Sequence, residues 1–105
     1  MSIHRTAARN DANHAAVVKA LEAIGCLVVT IRQPVDLLIG YRGVFMAGEI
    51  KDGTKPPSQR KLKPIQAAFF ERCTIGRLPC VTLLSPEQAV GAVVEAVSMR
   101  AANGG

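Results

Sequence analysis

The segment Val35-Asp36-Leu37-Leu38-Ile39-Gly40-Tyr41-Arg42-Gly43-Val44-Phe45-Met46-Ala47-Gly48-Glu49-Ile50-Lys51 decides the fold. Two apolar runs, Val35 to Gly40 and Val44 to Lys51, flank Tyr41, Arg42 and Gly43, where glycine supplies the positive φ of a tight turn. The segment is therefore expected to be a β-hairpin. A turn about Arg42 and Gly43, counted back symmetrically, sets Asp36 directly opposite Glu49. Opposed residues share a sheet face, with Cβ atoms roughly 4.5 to 5.5 Å apart. Lys51 lies two residues beyond Glu49 and points the same way, whereas Ile50 points into the opposite layer.

Two carboxylates facing each other repel unless a cation lies between them, and an all-oxygen donor set suits Mg2+ or Mn2+ over zinc. Such an ion binds a phosphate oxygen and acidifies a water. Lys51 would then orient or deprotonate that water, or hold the phosphate itself. A plainer reading makes Asp36 and Lys51 a solvated cross-strand pair and Glu49 a surface acid. The flanking Leu37, Leu38, Ile39, Val44, Phe45 and Met46 argue for mostly buried strands, where charges need a role.

Working outward, Asn10 or Asp11 is a suitable cap for a first helix with apolar positions Ala15, Val18, Leu21 and Ile24, closed by Gly25. Cys26 to Ile31 reads as a buried strand. Beyond the hairpin, Lys51 to Lys63 carries five basic residues and one acid among Gly, Pro and Ser, so the chain crosses the surface there. Lys55, Arg60, Lys61 and Lys63 are placed to hold a phosphodiester backbone, with Arg42 at the hairpin tip. Pro64 opens a second helix carrying Ile65, Ala68, Phe69 and Cys73, and Gly76 closes it. Cys80 to Leu84 is a fourth strand. Ser85-Pro86-Glu87 opens a last helix through about Met99, with Val90, Val93, Val94 and Val97 expected in the core.

The order α-β-β-β-α-β-α predicts an α/β fold, a mixed four-stranded sheet flanked by helices. A single domain over 1–105 is expected, with 1–9 and 101–105 flexible at its ends. Of the 105 residues 49% are hydrophobic and only 4% aromatic, so the core is aliphatic and base stacking has few candidates. Tyr41 at the tip is the most exposed of these; Phe45, Phe69 and Phe70 are expected in the core. Thirteen Lys and Arg against eight Asp and Glu give a net charge of +5, which favours a polyanionic partner. Cys26, Cys73 and Cys80 lack metal-ligand spacing and read as reduced core residues. No apolar run reaches the ~18 residues of a membrane span and the amino terminus is polar, so no membrane partner and an intracellular, cytoplasmic location are expected.

The runs Val35-Asp36-Leu37-Leu38-Ile39-Gly40-Tyr41-Arg42-Gly43 and Gly48-Glu49-Ile50-Lys51-Asp52-Gly53 resemble motifs II and III of the PD-(D/E)XK nucleases. More narrowly, they are similar to the small stand-alone VRR-NUC and Holliday-junction-resolvase-like proteins of phages and prophages. The resemblance covers about Arg9 to Val97, and its specific part is the E-x-K after an aspartate-bearing hairpin. It implies a restriction-endonuclease-like core, metal bound by Asp36, Glu49 and the carbonyl of Ile50, and catalytic roles for Lys51 and Gln66. Gln66 also falls near a helix amino end, which favours phosphate.

Two positions depart from the family pattern. Val35 stands where many relatives have proline, and Pro34 lies one residue earlier. Where many carry a first-helix glutamate, this chain reads Asn10-Asp11-Ala12-Asn13-His14; Asp11 or Asn13 offers an oxygen ligand, and either also suits a helix cap. The resemblance implies a homodimeric DNA endonuclease selective for branched or junction DNA. The alternative is a non-catalytic DNA-binding accessory protein on the same fold.

Overall fold

Both central residues of the hairpin turn take left-handed backbone angles, Arg42 at φ 49° and Gly43 at φ 82°. That combination matches the right-handed twist of the strands it joins. The computed structural model describes the backbone of residues 2–102 and the side chains of residues 13–102. Its elements are α1 (Ser2–Ala23), β1 (Leu27–Thr30), β2 (Leu37–Tyr41), β3 (Val44–Ile50), α2 (Pro64–Ile75), β4 (Cys80–Leu83) and α3 (Pro86–Ala102). A short 3-10 turn, Pro57–Gln59, interrupts the basic loop.

The strands lie in the order β1-β2-β3-β4. β1 and β2 are antiparallel, as are β2 and β3, while β4 runs parallel to β3. The sheet is thus mixed, with helices on both faces. The hairpin has the expected register, with Tyr41 opposite Val44, Ile39 opposite Met46 and Leu37 opposite Gly48. Gly48 has a packing reason to lack a side chain. A Cβ there would stand 2.9 Å from Leu83 Cδ1 and 3.0 Å from Ile39 Cδ1.

Alternation along the strands builds two unequal cores. Leu37, Ile39, Met46 and Leu83 point to one face, where Val17 and Leu21 of α1 and Ala89 and Val93 of α3 cover them. Each fully buried aliphatic side chain there contributes about 1.5–3 kcal/mol. Ile50 packs against this cluster, as its strand position requires. The other face carries Val35, Ala47 and Cys73, with Phe69, Phe70, Leu78 and Cys80 around them, under α2. Among the described residues no helix is long and apolar enough to cross a membrane.

Several expectations need correction. α1 begins at Ser2, so Asn10 and Asp11 lie inside the helix and do not cap it. Its buried face runs through Val17 and Leu21; Ala15 is exposed. β1 is an edge strand with Leu27 57% and Val29 41% exposed, because α2 does not reach that far across the sheet. Phe45 is 52% exposed on the same uncovered face. Tyr41, in contrast, packs half-buried against the larger core. In α2, Ile65 and Ala68 face solvent and Cys73 is the buried position. In α3, Val93 is buried, Val90 and Val97 pack beside it, and Val94 is exposed. This last helix continues to Ala102, three residues past the expected Met99.

Candidate active site

Asp36 sits one residue ahead of β2, and the loop before it holds its backbone. The N–H groups of Ile31 and Arg32 both donate to the Asp36 carbonyl, at 2.8 and 3.2 Å. Across the hairpin the Asp36 N–H donates to Glu49 Oε1 at 3.1 Å, and the Ile50 N–H donates to Asp36 Oδ2 at 2.8 Å. Where the β2–β3 ladder ends, side-chain carboxylates continue it. The register that sets Leu37 opposite Gly48 thereby brings Asp36 to Glu49.

Glu49 is only 4% exposed, the one charged residue in the buried set of the described residues. Burial pushes its carboxyl up to about 7, and the neighbouring Asp36 charge adds to the rise; Lys51 works in the opposite direction. Lys51 Nζ lies 3.6 Å from Glu49 Oε2. One ammonium at that distance does not offset both effects, so the pair of acids is short of positive charge.

Gln66, in the first turn of α2, joins these groups. Its Nε2 donates to Glu49 Oε2 at 2.7 Å, and its Oε1 accepts from Lys51 Nζ at 3.0 Å and from the Lys63 N–H at 2.8 Å. Pro64 at the first helical position sets the angle at which α2 presents this side chain. Asp36, Glu49, Lys51 and Gln66 therefore meet at one end of the sheet: the first three as the hairpin register predicted, and Gln66, which only the family resemblance had suggested, from the first turn of α2.

Asp36 Oδ2 accepts the Ile50 N–H, and the Asp36 carboxyl also lies within hydrogen-bonding reach of the Glu49 carboxyl. In an extended strand the N–H and C=O of one residue point to the same side, so the Ile50 carbonyl is directed toward Asp36 as its N–H is. Asp36, Glu49 and the Ile50 carbonyl make an oxygen donor set of the kind a hard divalent ion takes. Among the described residues no group of three or more His, Cys, Asp and Glu is gathered for a metal, so a site here rests on two carboxylates. The side chain of Asp11, the remaining expected ligand, lies outside the described residues.

Asn13 has a role that its cap or ligand readings missed. It lies within α1, and its Nδ2 donates to the Lys51 carbonyl at 3.3 Å, tying the first helix to the end of β3. The spacing Asn13, Val17, Leu21 follows one helix face, and that pattern would have placed Asn13 inward.

The basic residues divide. Lys55, Arg60, Lys61 and Lys63 belong to the loop that joins β3 to α2, and both ends of that loop are at the site. Arg60 Nε is buried without a hydrogen-bond partner. Arg42 is elsewhere: it lies over the Tyr41 ring, 5.4 Å from its centroid. The turn is at the far end of β2 from the acids, ~17 Å away at the usual rise per strand residue.

The cysteines are free thiols. Burial and a hydrogen bond with Cys73 push Cys80 up to about 12, so that thiol stays protonated. Compared with family models, with curated proteins and with solved structures, the chain matches none.

Proposed function

We propose that this chain is a Mg2+- or Mn2+-dependent DNA endonuclease of the PD-(D/E)XK type, acting on branched or junction DNA inside a bacterial or phage-infected cell. The observation that carries the reading is the buried Glu49 beside Asp36, with its carboxyl raised to about 7 and Lys51 and Gln66 bonded around it. A structural surface pair would be solvated and would not concentrate two acids, an amide and an ammonium at one strand end.

Asp36, Glu49 and the Ile50 carbonyl would hold the divalent ion, which when bound would supply positive charge to a scissile phosphate and acidify an attacking water. Asp36 presents its carboxylate beside that of Glu49. Glu49 is drawn into its ionised form by a cation, which removes the cost of burying two like charges. Lys51, fixed by the Gln66 oxygen and by the strand, is within reach of a water or phosphate oxygen beside Glu49. The amino end of α2 and the Lys55–Lys63 segment face a polyanion with positive charge, giving affinity without base readout. The uncovered sheet face of Leu27, Val29 and Phe45 is the natural contact for a homodimer.

The test is cleavage of labelled linear, nicked, forked and four-way DNA with Mg2+, Mn2+ or EDTA. Metal-dependent cutting abolished by both Glu49→Ala and Lys51→Ala is the expected result. Intact DNA in every lane, with binding retained in EDTA, would install the second reading, a non-catalytic DNA-binding accessory protein. That second reading is favoured by one observation, the lack of a third clustered carboxylate among the described residues.

A further inference from the structure

The sheet stops at β4, and the outer edge of that strand is not closed. Its ladder with β3 uses alternate residues: the Ala47 N–H donates to the Pro79 carbonyl at 2.9 Å and the Lys51 N–H to the Leu83 carbonyl at 3.0 Å. Backbone groups alternate sides along a strand, so Cys80 and Thr82 direct their N–H and C=O away from β3. Gln88 of α3 takes part of this edge, its Nε2 donating to the Thr82 carbonyl at 3.0 Å and its Oε1 accepting from the Leu84 N–H at 2.8 Å. The N–H and C=O of Cys80 and the N–H of Thr82 have no partner among the described residues. An edge strand with unpaired backbone groups is a template for pairing with another chain.

Cys80 lines a cavity of about 890 Å3 between α2 and α3, walled by Phe70 and Thr74 on one side and Ala92, Ala96 and Met99 on the other. Backbone donors and an acceptor at the edge, with small apolar walls, suit an extended polypeptide, which adds as a strand. Charge sets its direction. Arg77 and Arg100 line the cavity near the start of β4, where Arg100 Nη1 donates to the Arg77 carbonyl at 3.3 Å. Glu95 is the only acid in the wall among the described residues.

We infer that this edge binds the carboxy-terminal segment of a partner polypeptide, antiparallel to β4, with its terminal carboxylate at Arg77 and Arg100. Antiparallel pairing lets one partner residue exchange both hydrogen bonds with Cys80. Alternate side chains of the segment enter the space between Phe70 and Ala96. Gln88 ends the pairing at Thr82, so the recognised segment is short.

The cavity adjoins the Cys80 end of β4, and Glu49 is in register with Thr82, where the pairing ends; the proposed contacts use the outer edge of β4, on the side away from β3, so the proposal does not depend on nuclease activity. The probe is a fluorescein-labelled hexapeptide of alternating valine and threonine with a free carboxyl terminus, compared with its amide. Saturable anisotropy is expected for the acid, with amide resonances of Cys80 and Thr82 shifting on titration. The amide form should bind about tenfold more weakly, because it cannot make the charge-assisted hydrogen bond. Ala96→Trp, which fills the cavity, and the surface change Arg100→Glu should each abolish binding with the circular dichroism spectrum unchanged. Absence of binding, shifts at other amides only, or equal affinity for acid and amide would each overturn the proposal.

Discussion

Asp36 and Glu49 brace each other across the hairpin: the Asp36 N–H donates to Glu49 Oε1, and Asp36 Oδ2 accepts the N–H of the residue after Glu49. Two acids are thereby held face to face by the backbone of the very strands that carry them. Their repulsion is built into the folded state and has measurable consequences.

The first concerns pH. Burial, and then Asp36, raise the Glu49 carboxyl from 4.5 to about 7, so the folded protein binds a proton more tightly than the unfolded chain does. Stability from this group is fully present below about pH 4.5 and is lost as pH rises through 7. Scanning calorimetry of the metal-free protein should show a Tm lower at pH 8 than at pH 5, by on the order of 10 °C. Glu49→Gln should flatten that dependence; an unchanged slope in the variant would assign it to other groups.

Metal affinity should move the opposite way. A cation requires ionised Glu49, so Mn2+ binding followed by calorimetry should tighten between pH 6 and pH 8 and release protons in the same interval. Asp36→Asn should remove most of the heat.

Gln66→Ala takes away the amide that holds both Lys51 and Glu49. Removing a partner that orients ligand and catalytic groups costs about 10–100-fold in activity or metal affinity. The expected signature is a fall in kcat with little change in DNA affinity measured by gel shift in EDTA. A variant that binds DNA poorly and cuts normally would refute the positioning role.

Replacing Lys55, Arg60, Lys61 and Lys63 together by alanine should lower the slope of log K against log salt by about 0.9 for each phosphate that is no longer neutralised. A filter-binding series over salt concentration measures it. Arg42→Ala, at the far end of the hairpin, should leave the slope for a single protomer on DNA unchanged.

Phe45→Glu places a charge in the uncovered sheet face beside Leu27. Sedimentation velocity should show a dimer for the parent chain and a monomer for the variant, with the same circular dichroism. A parent chain that sediments as a monomer at high concentration would remove this face as the dimer contact.

Much of this arrangement is legible in the amino-acid sequence. The turn at Arg42 and Gly43 sets the register, and the register alone places Asp36 opposite Glu49 and Ile50 in the other layer. Pro64 and Gly76 mark both ends of α2, because one fixes φ at a helix start and the other ends it. Coverage is not legible in the same way. Leu27-Val28-Val29 has the same composition in an edge strand as in a central one, and only the placement of α2 leaves it exposed. Asn10 and Asp11 are good caps by residue type, yet the helix passes through them from Ser2, so Asn13 falls on the inward face and meets Lys51.

The oxygen of Gln66 receives both Lys51 Nζ and the Lys63 N–H, so the two ends of the basic loop are fastened to a single atom. The loop between them is a ring closed at its base, and the Gly53 N–H, donating to the Leu84 carbonyl at 3.1 Å, adds a further tie. Ring closure depends only weakly on length, about 0.6 kcal/mol for each doubling. The acids below therefore stay in place while the ring is lengthened, shortened or exchanged, which makes this loop the interchangeable part of the molecule: on the proposed function, one scaffold is open to refitting for differently shaped nucleic acids with Asp36 and Glu49 left where they are.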